Sequence, residues 1–579
     1  MAGWAYQAYS QAVPPAPAAS GLTFKAYAGD GAVLLAFDVD ESLRDDLAGF
    51  AIEYTDPEGK TSPVFNRINF QDPVTAATTP GERRQLSTDT KQAPIQKFHW
   101  VHFPGDVKRG EFRYRVSAMR YRPGTDDQVD AVATEEQTVR LMPEPAEKFQ
   151  LGFTRGYLSS QAYLDRFGGG DFTPKPLTLD SETASFQEKW HWLGFHGRRL
   201  VFDFLDEALQ DPGLELDVFA FDLDEPDVVG RLEQLGLRLR LFQDSSATHV
   251  QKSPEDARPV ELDAVDRLKA KNAQVKTGDF SGLAHSKVFI QRRGDTAVKV
   301  LAGSANFSVR GLYAQSNNVF VFDDRQAADL YEQAFRQAWD GEPEFRSSKI
   351  AAGWLPVESD ALPACAVSFA PHKKAAVSLE RLADAIRDAK SSVLFAIMEI
   401  GNASGPAMDE IRKLPDRNDV YAFGTTQKID GDLKVTVPSD PDSPFIPFSY
   451  LKSKVPPPFQ KEIAGGSGQI IHHKFVVVDF NGESPKVYAG SSNLANAESS
   501  NGDNLVEFAD RDVATKFAVE AIRLIDHYRF RSVQRKATDA KPLRLKRRGE
   551  DWSSEFFDPA SPRSLERTVF VGKPRDPAG

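Results

Sequence analysis

Two stretches of this chain carry the same polar residues at the same spacing. In AHSKVFIQRRGDTAVKVLAGSANF they are His285, Lys287, Ser304 and Asn306; in HHKFVVVDFNGESPKVYAGSSNL they are His472, Lys474, Ser491 and Asn493. In each copy the Lys follows the His by two residues, Gly-Ser-x-Asn begins eighteen residues after the His, and the Asn stands at twenty-one. The copies lie 187 residues apart, so the chain reads as two half-sites. Imidazole changes protonation near neutrality, Lys supplies fixed positive charge, and Ser and Asn donate hydrogen bonds to oxygen. Doubled, that inventory suits a tetrahedral phosphate. One imidazole attacks phosphorus while the other protonates the leaving oxygen and then activates water or an alcohol. Lys and amide groups bind the charge that builds in the transition state. The set lacks the carboxylate or thiolate companions of a zinc site, so neither metal nor cofactor is expected.

The elements that must position these groups can be read around them. Lys287 and Lys474 lead into runs rich in β-branched and aromatic residues, VFI and FVVVD. Residues two apart on a strand share a face, so each His and Lys project together. Turn formers (RRGD; NGESP) and a second apolar run (VKVLAG; KVYAG) follow, which predicts a hairpin returning Gly-Ser-x-Asn beside the His and Lys. A third His-x-Lys, His372 to Lys374, has no Gly-Ser-x-Asn after it and is set aside as a solvated loop.

The paired motifs resemble those of the phospholipase D superfamily, H-x-K-x4-D followed by G-[GS]-x-N, duplicated in its two-lobed members. The second copy matches in full, with Asp479 five residues beyond Lys474; in the first, Arg292 stands at that place. The resemblance implies a metal-independent transfer through a phosphohistidine, with His285 as nucleophile and His472 as acid and then base. It also implies a downstream carboxylate that orients one imidazole. Asp503 is the candidate in the second half, and Asn317 stands in the corresponding stretch of the first. The catalytic set implied is therefore His285, Lys287, His472, Lys474, Asp479 and Asp503, with Ser304, Asn306, Ser491 and Asn493 on the substrate.

The duplication extends beyond the motifs. LDVFAFDLDEPDVVGRLEQLG then LRLRLF precede the first, and SSVLFAIMEIGNASGPAMDEIRKL then VYAFG precede the second. Each half thus reads β-α-β and then the hairpin, with a helix before it. The fold class is α/β: two pseudo-symmetric phospholipase D-like lobes, each a mixed sheet flanked by helices. They are placed at 149–345 and 346–534. Residues 1–148 carry short alternating strands instead; in FRYRVSA, Phe112, Tyr114 and Val116 share one face. This stretch resembles a fibronectin type III or similar immunoglobulin-like β-sandwich, whose partner is left open. The remainder, 535–579, is a tail whose Trp552, Phe556 and Phe557 argue for docking on the body.

Composition narrows the partners. The net charge of −12 lacks the overall basic footprint of a non-specific nucleic-acid binder. The single cysteine, Cys365, excludes an internal disulfide and fits a reducing compartment. With neither a secretory leader nor a membrane-length apolar run in the sequence, a cytoplasmic protein is expected. The Pro-rich segment 441–459 holds Phe445, Ile446, Phe448, Tyr450 and Phe459 and is read as an irregular loop, either suited to membrane contact or acyl-chain recognition or packed against the lobe or the tail. A phospholipid is accordingly favoured over nucleic acid as the phosphodiester substrate. The alternatives are a nuclease with the same chemistry and a catalytically weakened phosphate-binding scaffold.

Overall fold

The computed structural model describes residues 21–573, except 430–444, 448–470 and short breaks at 73, 76, 106–107, 143, 145–146, 157–160, 169, 252, 375, 401–402, 497–499 and 537. Three bodies and a docked tail are visible. The first is a sandwich of two antiparallel sheets. One holds Leu22–Ala28, Val33–Val39 and His99–His102 in that order; the other runs Thr61–Pro63, Leu47–Thr55, Gly110–Tyr121, Val129–Leu141. Alternation builds it: Phe112, Tyr114 and Val116 are buried, while Glu111, Arg113 and Arg115 between them are exposed.

The two lobes repeat one another strand for strand. The first lobe's seven-stranded sheet runs Phe149–Phe153, Asn318–Phe322, Thr296–Gly303, Val288–Arg293, Glu215–Ala220, Leu239–Asp244, Gln274–Gly278. The second runs Cys365–Phe369, Asn504–Phe508, Lys486–Gly490, Phe475–Val478, Ser392–Ile400, Tyr421–Ile429, Phe445–Pro447, with Trp354–Val357 added at its outer edge. In both, the last three strands pair in parallel and the rest antiparallel. The expected α/β architecture of paired lobes behind an all-β sandwich is what the chain adopts.

One reading of the loop at 441–459 is corrected. Phe445–Pro447 is a strand, pairing with Gly424–Thr426. Proline lacks the N–H that a central strand needs, and here it lies on the sheet's edge, where that donor has no partner to meet. The rest of that segment lies outside the described residues.

A shared core joins the lobes. Phe508 of the second meets Phe149, Phe320 and Phe322 of the first at ring-centroid distances of 5.3, 5.7 and 6.1 Å. The long helix Arg511–Lys536 closes the second lobe and packs its Phe517 on Phe153 of the first. The tail folds back as expected. Phe98 of the sandwich lies against Trp552, Phe556 and Phe557, and the Trp552 indole donates to Leu47 O at 2.7 Å. Two of its basic residues are paired within the molecule, Arg544 with Glu550 and Arg548 with Asp46. No described helix is long and apolar enough to cross a membrane.

Candidate active site

Each motif emerges where a hairpin leaves the sheet. Val288–Arg293 pairs antiparallel with Thr296–Gly303, and Phe475–Val478 with Lys486–Gly490, so each Gly-Ser-x-Asn returns beside its His and Lys. The motif glycines permit the closure. A Cβ on Gly303 would lie 2.3 Å from Asn318 O, and one on Gly490 2.3 Å from Asn504 O, in both cases against backbone that cannot yield. The halves then interlock through main chain. Ser286 N donates to Gly502 O at 2.8 Å, and His472 N to Ser316 O at 3.3 Å.

His285 and His472 are each 5 % exposed, and Lys287 and Lys474 are wholly buried. Both imidazoles are held well below their ordinary 6.5. Burial is the main cause for each. The nearby positive charges of Lys287 and Lys474 add to it for His285; Lys474, Lys287 and Arg310 do so for His472. Each ring therefore lies within electrostatic reach of the ammonium groups of both halves. Both rings are neutral at neutral pH. The Lys ammoniums are aimed locally: Lys474 Nζ donates to His472 O at 2.8 Å, and Lys287 Nζ donates to His285 O.

The amide of Asn317 fixes His472. Its Nδ2 donates to Gly311 O at 2.8 Å and its Oδ1 accepts from Ser304 Oγ at 2.8 Å, which sets the orientation of the amide. Oδ1 can then only accept from His472 Nδ1, at 2.9 Å, leaving Nε2 for the substrate. Asp503 holds the matching place in the second half. Gly303 pairs with Val319 and Gly490 with Leu505, and each polar residue stands two positions earlier. His285 Nδ1 is buried with no hydrogen-bond partner among the described residues.

Several expected residues take other places. Asp479 does not join the His and Lys. It sits at the opposite end of its strand and accepts from the backbone N–H groups of Lys390, Ser391 and Ser392 at 2.6–3.0 Å. Arg292 does the corresponding job with side chains, pairing with Asp217 at 2.5 Å and Glu215 at 2.7 Å. Ser304 and Ser491 also face the protein: their hydroxyls accept from Asn318 N and Asn504 N, each at 3.0 Å. Asn306 donates from Nδ2 to Asp222 at 2.5 Å, and Asn493 Oδ1 has no hydrogen-bond partner among the described residues. His372 is a buried structural residue, its Nδ1 2.7 Å from Ala351 O, and its loop is not solvated there.

Two groups escaped the sequence reading. Arg310 lies close enough to depress His472, and its Nε is buried with no hydrogen-bond partner among the described residues; no motif marks it. Phe221 packs edge-on against His285 with centroids 5.0 Å apart, with Lys287 Nζ 4.8 Å from its centre. The same ring lies 4.6 Å from His249, which is raised to about 9 because Asp222, Asp244 and Glu261 outweigh its burial. The acidic run DLDEPD at 222–227 was the available signal.

This doubled site crowns a known kind of lobe. The family model described as cardiolipin synthase, PLD-like domain, matches residues 213–339, from the first lobe's central strands into its closing helix. With its strand order repeated in the second lobe, the chain has two lobes of phospholipase D-like fold. No curated protein matches the chain. Among solved structures, it is similar to a polyphosphate kinase from Porphyromonas gingivalis, at 11 % identity over 87 % of this chain and 78 % of that one, with a TM-score of 0.39. It is similar to a phosphatidylserine synthase from Haemophilus influenzae at 15 % identity, over 64 % and 91 % of the two chains, with a TM-score of 0.36. Nuc, a phospholipase D family member from Salmonella typhimurium, shares 20 % identity over 25 % of this chain and 86 % of its own, with a TM-score of 0.20.

Proposed function

We propose that the chain is a two-histidine phosphodiesterase that works through a phosphohistidine, with a phospholipid as substrate. The observation that carries the chemistry is the mutual electrostatic reach of His285, His472, Lys287 and Lys474 inside one buried site. His285, neutral and unhindered by a proton, attacks phosphorus through a ring nitrogen as the bond to the leaving oxygen breaks. His472 supplies that oxygen's proton from Nε2. The phosphodiester anion places a negative charge beside His472 that favours the imidazolium, so the ring takes a proton from water onto Nε2 as the substrate binds. His472 then takes a proton from water or an acceptor alcohol, whose oxygen displaces His285. Asp503 is assigned to orient His285, and Arg310 to bind a phosphate oxygen.

The asymmetry of orienting groups supports that division of labour. A neutral amide behind His472 leaves its imidazolium a stronger acid toward the leaving group than a carboxylate would. A carboxylate behind His285 stabilises the positive charge that its ring acquires on attack. Charge supports lipid over nucleic acid. The chain carries −12 overall, a balance that works against binding a polyanion. The three-plus-four strand split of residues 22–141 fits the fibronectin-type reading of the sandwich, which we assign an orienting or partner-binding role.

The test is turnover by the purified chain of mixed phospholipid vesicles and of single- and double-stranded DNA, with His472→Ala as blank. Phosphatidic acid released by the wild type alone is the expected result. DNA cleavage without lipid turnover would make the chain a nuclease, and phosphate-ligand binding without turnover of either would make it a scaffold.

A further inference from the structure

Outside the paired motifs, the described residues hold one group of His and carboxylate side chains converging closely enough to hold a metal. Asp222, His249 and Glu261 each offer a ligand atom, and the three atoms lie within 4.8 Å of one another. They come from the carboxyl side of the first lobe's parallel strands: Asp222 follows Glu215–Ala220, His249 follows Leu239–Asp244, and Glu261 opens the helix Val260–Ala270. That rim is where open α/β sheets bind ligands. His249 Nε2 stands 3.1 Å from Asp222 Oδ1 and 3.9 Å from Glu261 Oε1. A tetrahedral ion bonded at about 2.1 Å spaces its ligand atoms roughly 3.4 Å apart, so small side-chain adjustments suffice.

Independent features point to a ligand. His249 is 5 % exposed, and its far nitrogen, Nδ1, is 2.7 Å from Asp244 Oδ2. A carboxylate behind a ligating imidazole is the usual way a protein fixes the ring and leaves Nε2 for an ion. Asp244 is itself held, accepting from Ser246 Oγ at 2.5 Å and from Ala284 N at 2.6 Å. Asn306 is 3 % exposed and donates Nδ2 to Asp222 Oδ2, while its own Oδ1 is buried without a hydrogen-bond partner among the described residues. An amide oxygen thus stands unused beside the cluster.

We propose that Asp222, His249 and Glu261 bind a divalent cation of the zinc type, distinct from the phosphodiester site, and that this ion positions the motif residue Asn306. Asp222 is the link: its Oδ1, 3.1 Å from His249 Nε2, would serve the ion, while its Oδ2 holds the Asn306 amide. Asp244 makes a second link, since it bonds the main chain one residue before His285. The nitrogen-and-oxygen donor set selects zinc over calcium or magnesium, which prefer oxygen alone. The ion takes no part at phosphorus, and its binding does not depend on the function proposed above.

The full chain, stripped with EDTA and exchanged into metal-free buffer, is titrated with zinc chloride by calorimetry. The expected result is one ion per chain for the wild type and for His285→Ala. Asp222→Asn and Glu261→Gln, which keep size and shape, should each weaken binding at least tenfold while circular dichroism and melting stay as in the wild type. Sub-stoichiometric zinc in the wild type would overturn the proposal, as would unchanged affinity in both variants. In the wild type, zinc should also slow hydrogen exchange across residues 304–308; unchanged exchange there would refute the link to Asn306.

Discussion

The imidazole of His99 ties three parts of the chain together, and its titration should be measurable as stability. It stands on a sandwich strand, with Nε2 2.9 Å from Asp526 of the long second-lobe helix and Nδ1 3.0 Å from Glu566 of the tail helix Pro562–Val571. Tyr421 of the second lobe donates to the same Glu566 at 3.1 Å. Burial opposes the charge on His99, but the two carboxylates outweigh it and raise the ring from 6.5 to about 9. The folded state therefore holds this proton more tightly than the unfolded chain. Its stabilisation is complete below pH 6.5, fades as pH rises, and is gone above about 9. At roughly 1.36 kcal/mol per pH unit, that window is worth about 3 kcal/mol, or roughly 6–12 °C for a unit of ordinary domain size. His99→Gln removes the cation and leaves Asp526 facing Glu566, so it should destabilise below about pH 9 and lose the fall that rising pH causes in the wild type. Calorimetric melts of both proteins between pH 6 and 9.5 give the answer by difference, since every other titrating group is common to them. Parallel pH profiles would refute the assignment.

Three further outcomes follow from the geometry. Lys474→Ala should lower turnover at least a hundredfold, whereas Lys374→Ala, whose side chain is exposed and pairs with Glu380, should leave it unchanged; equal rates would show that the third His-x-Lys had been misread. Ser304→Ala removes a donor to Asn317 Oδ1 and should cost about 1 kcal/mol, with a several-fold fall in kcat and little change in KM; a rise in KM alone would place the hydroxyl on the substrate instead. Phe508→Ala empties the contact between lobes and should lower stability by about 3–5 kcal/mol in urea unfolding, and a loss under 1 kcal/mol would mean that the lobes cohere by other means.

How much was legible in the sequence divides along physical lines. The hairpins, the repeat and the sandwich alternation are local patterns, written in the period of apolar residues, and they were read correctly. The partner of His472 could be narrowed only to a residue downstream of a motif, because Asn317 and His472 meet across the two halves and no spacing encodes that distance. Arg310 and the His249 cluster escaped for the same reason. The hydrogen bonds of the Ser hydroxyls to Asn317, Asn318 and Asn504 could not be read from the motif spacing, because those partners stand at the start of the strand that follows each hairpin. The strand at Phe445–Pro447 was missed because proline argues against a strand unless that strand is known to lie on an edge.

The motif Asp illustrates what such a pattern records. Asp479 lies one strand-length from the His and Lys, and its carboxylate gathers the N–H groups of three successive residues, Lys390 to Ser392, together with Ser391 Oγ. Those residues open the central strand against which the motif strand pairs. Its duty is thus to fasten two strands in register so that their far ends deliver His472 and Lys474 to the site. Any group able to fasten the same two strands can replace it. Arg292 does so in the first lobe, because Glu215 and Asp217 on the neighbouring strand supply the acceptors that backbone donors cannot. On this argument the departure in the first copy says nothing against catalysis. Asp479→Ala should lower stability by about 2–3 kcal/mol through its lost charged hydrogen bonds, with kcat within about threefold of the wild type once the fraction folded is taken into account. A hundredfold fall in kcat at unchanged melting temperature would return Asp479 to the chemistry and make the exchange at Arg292 a genuine impairment.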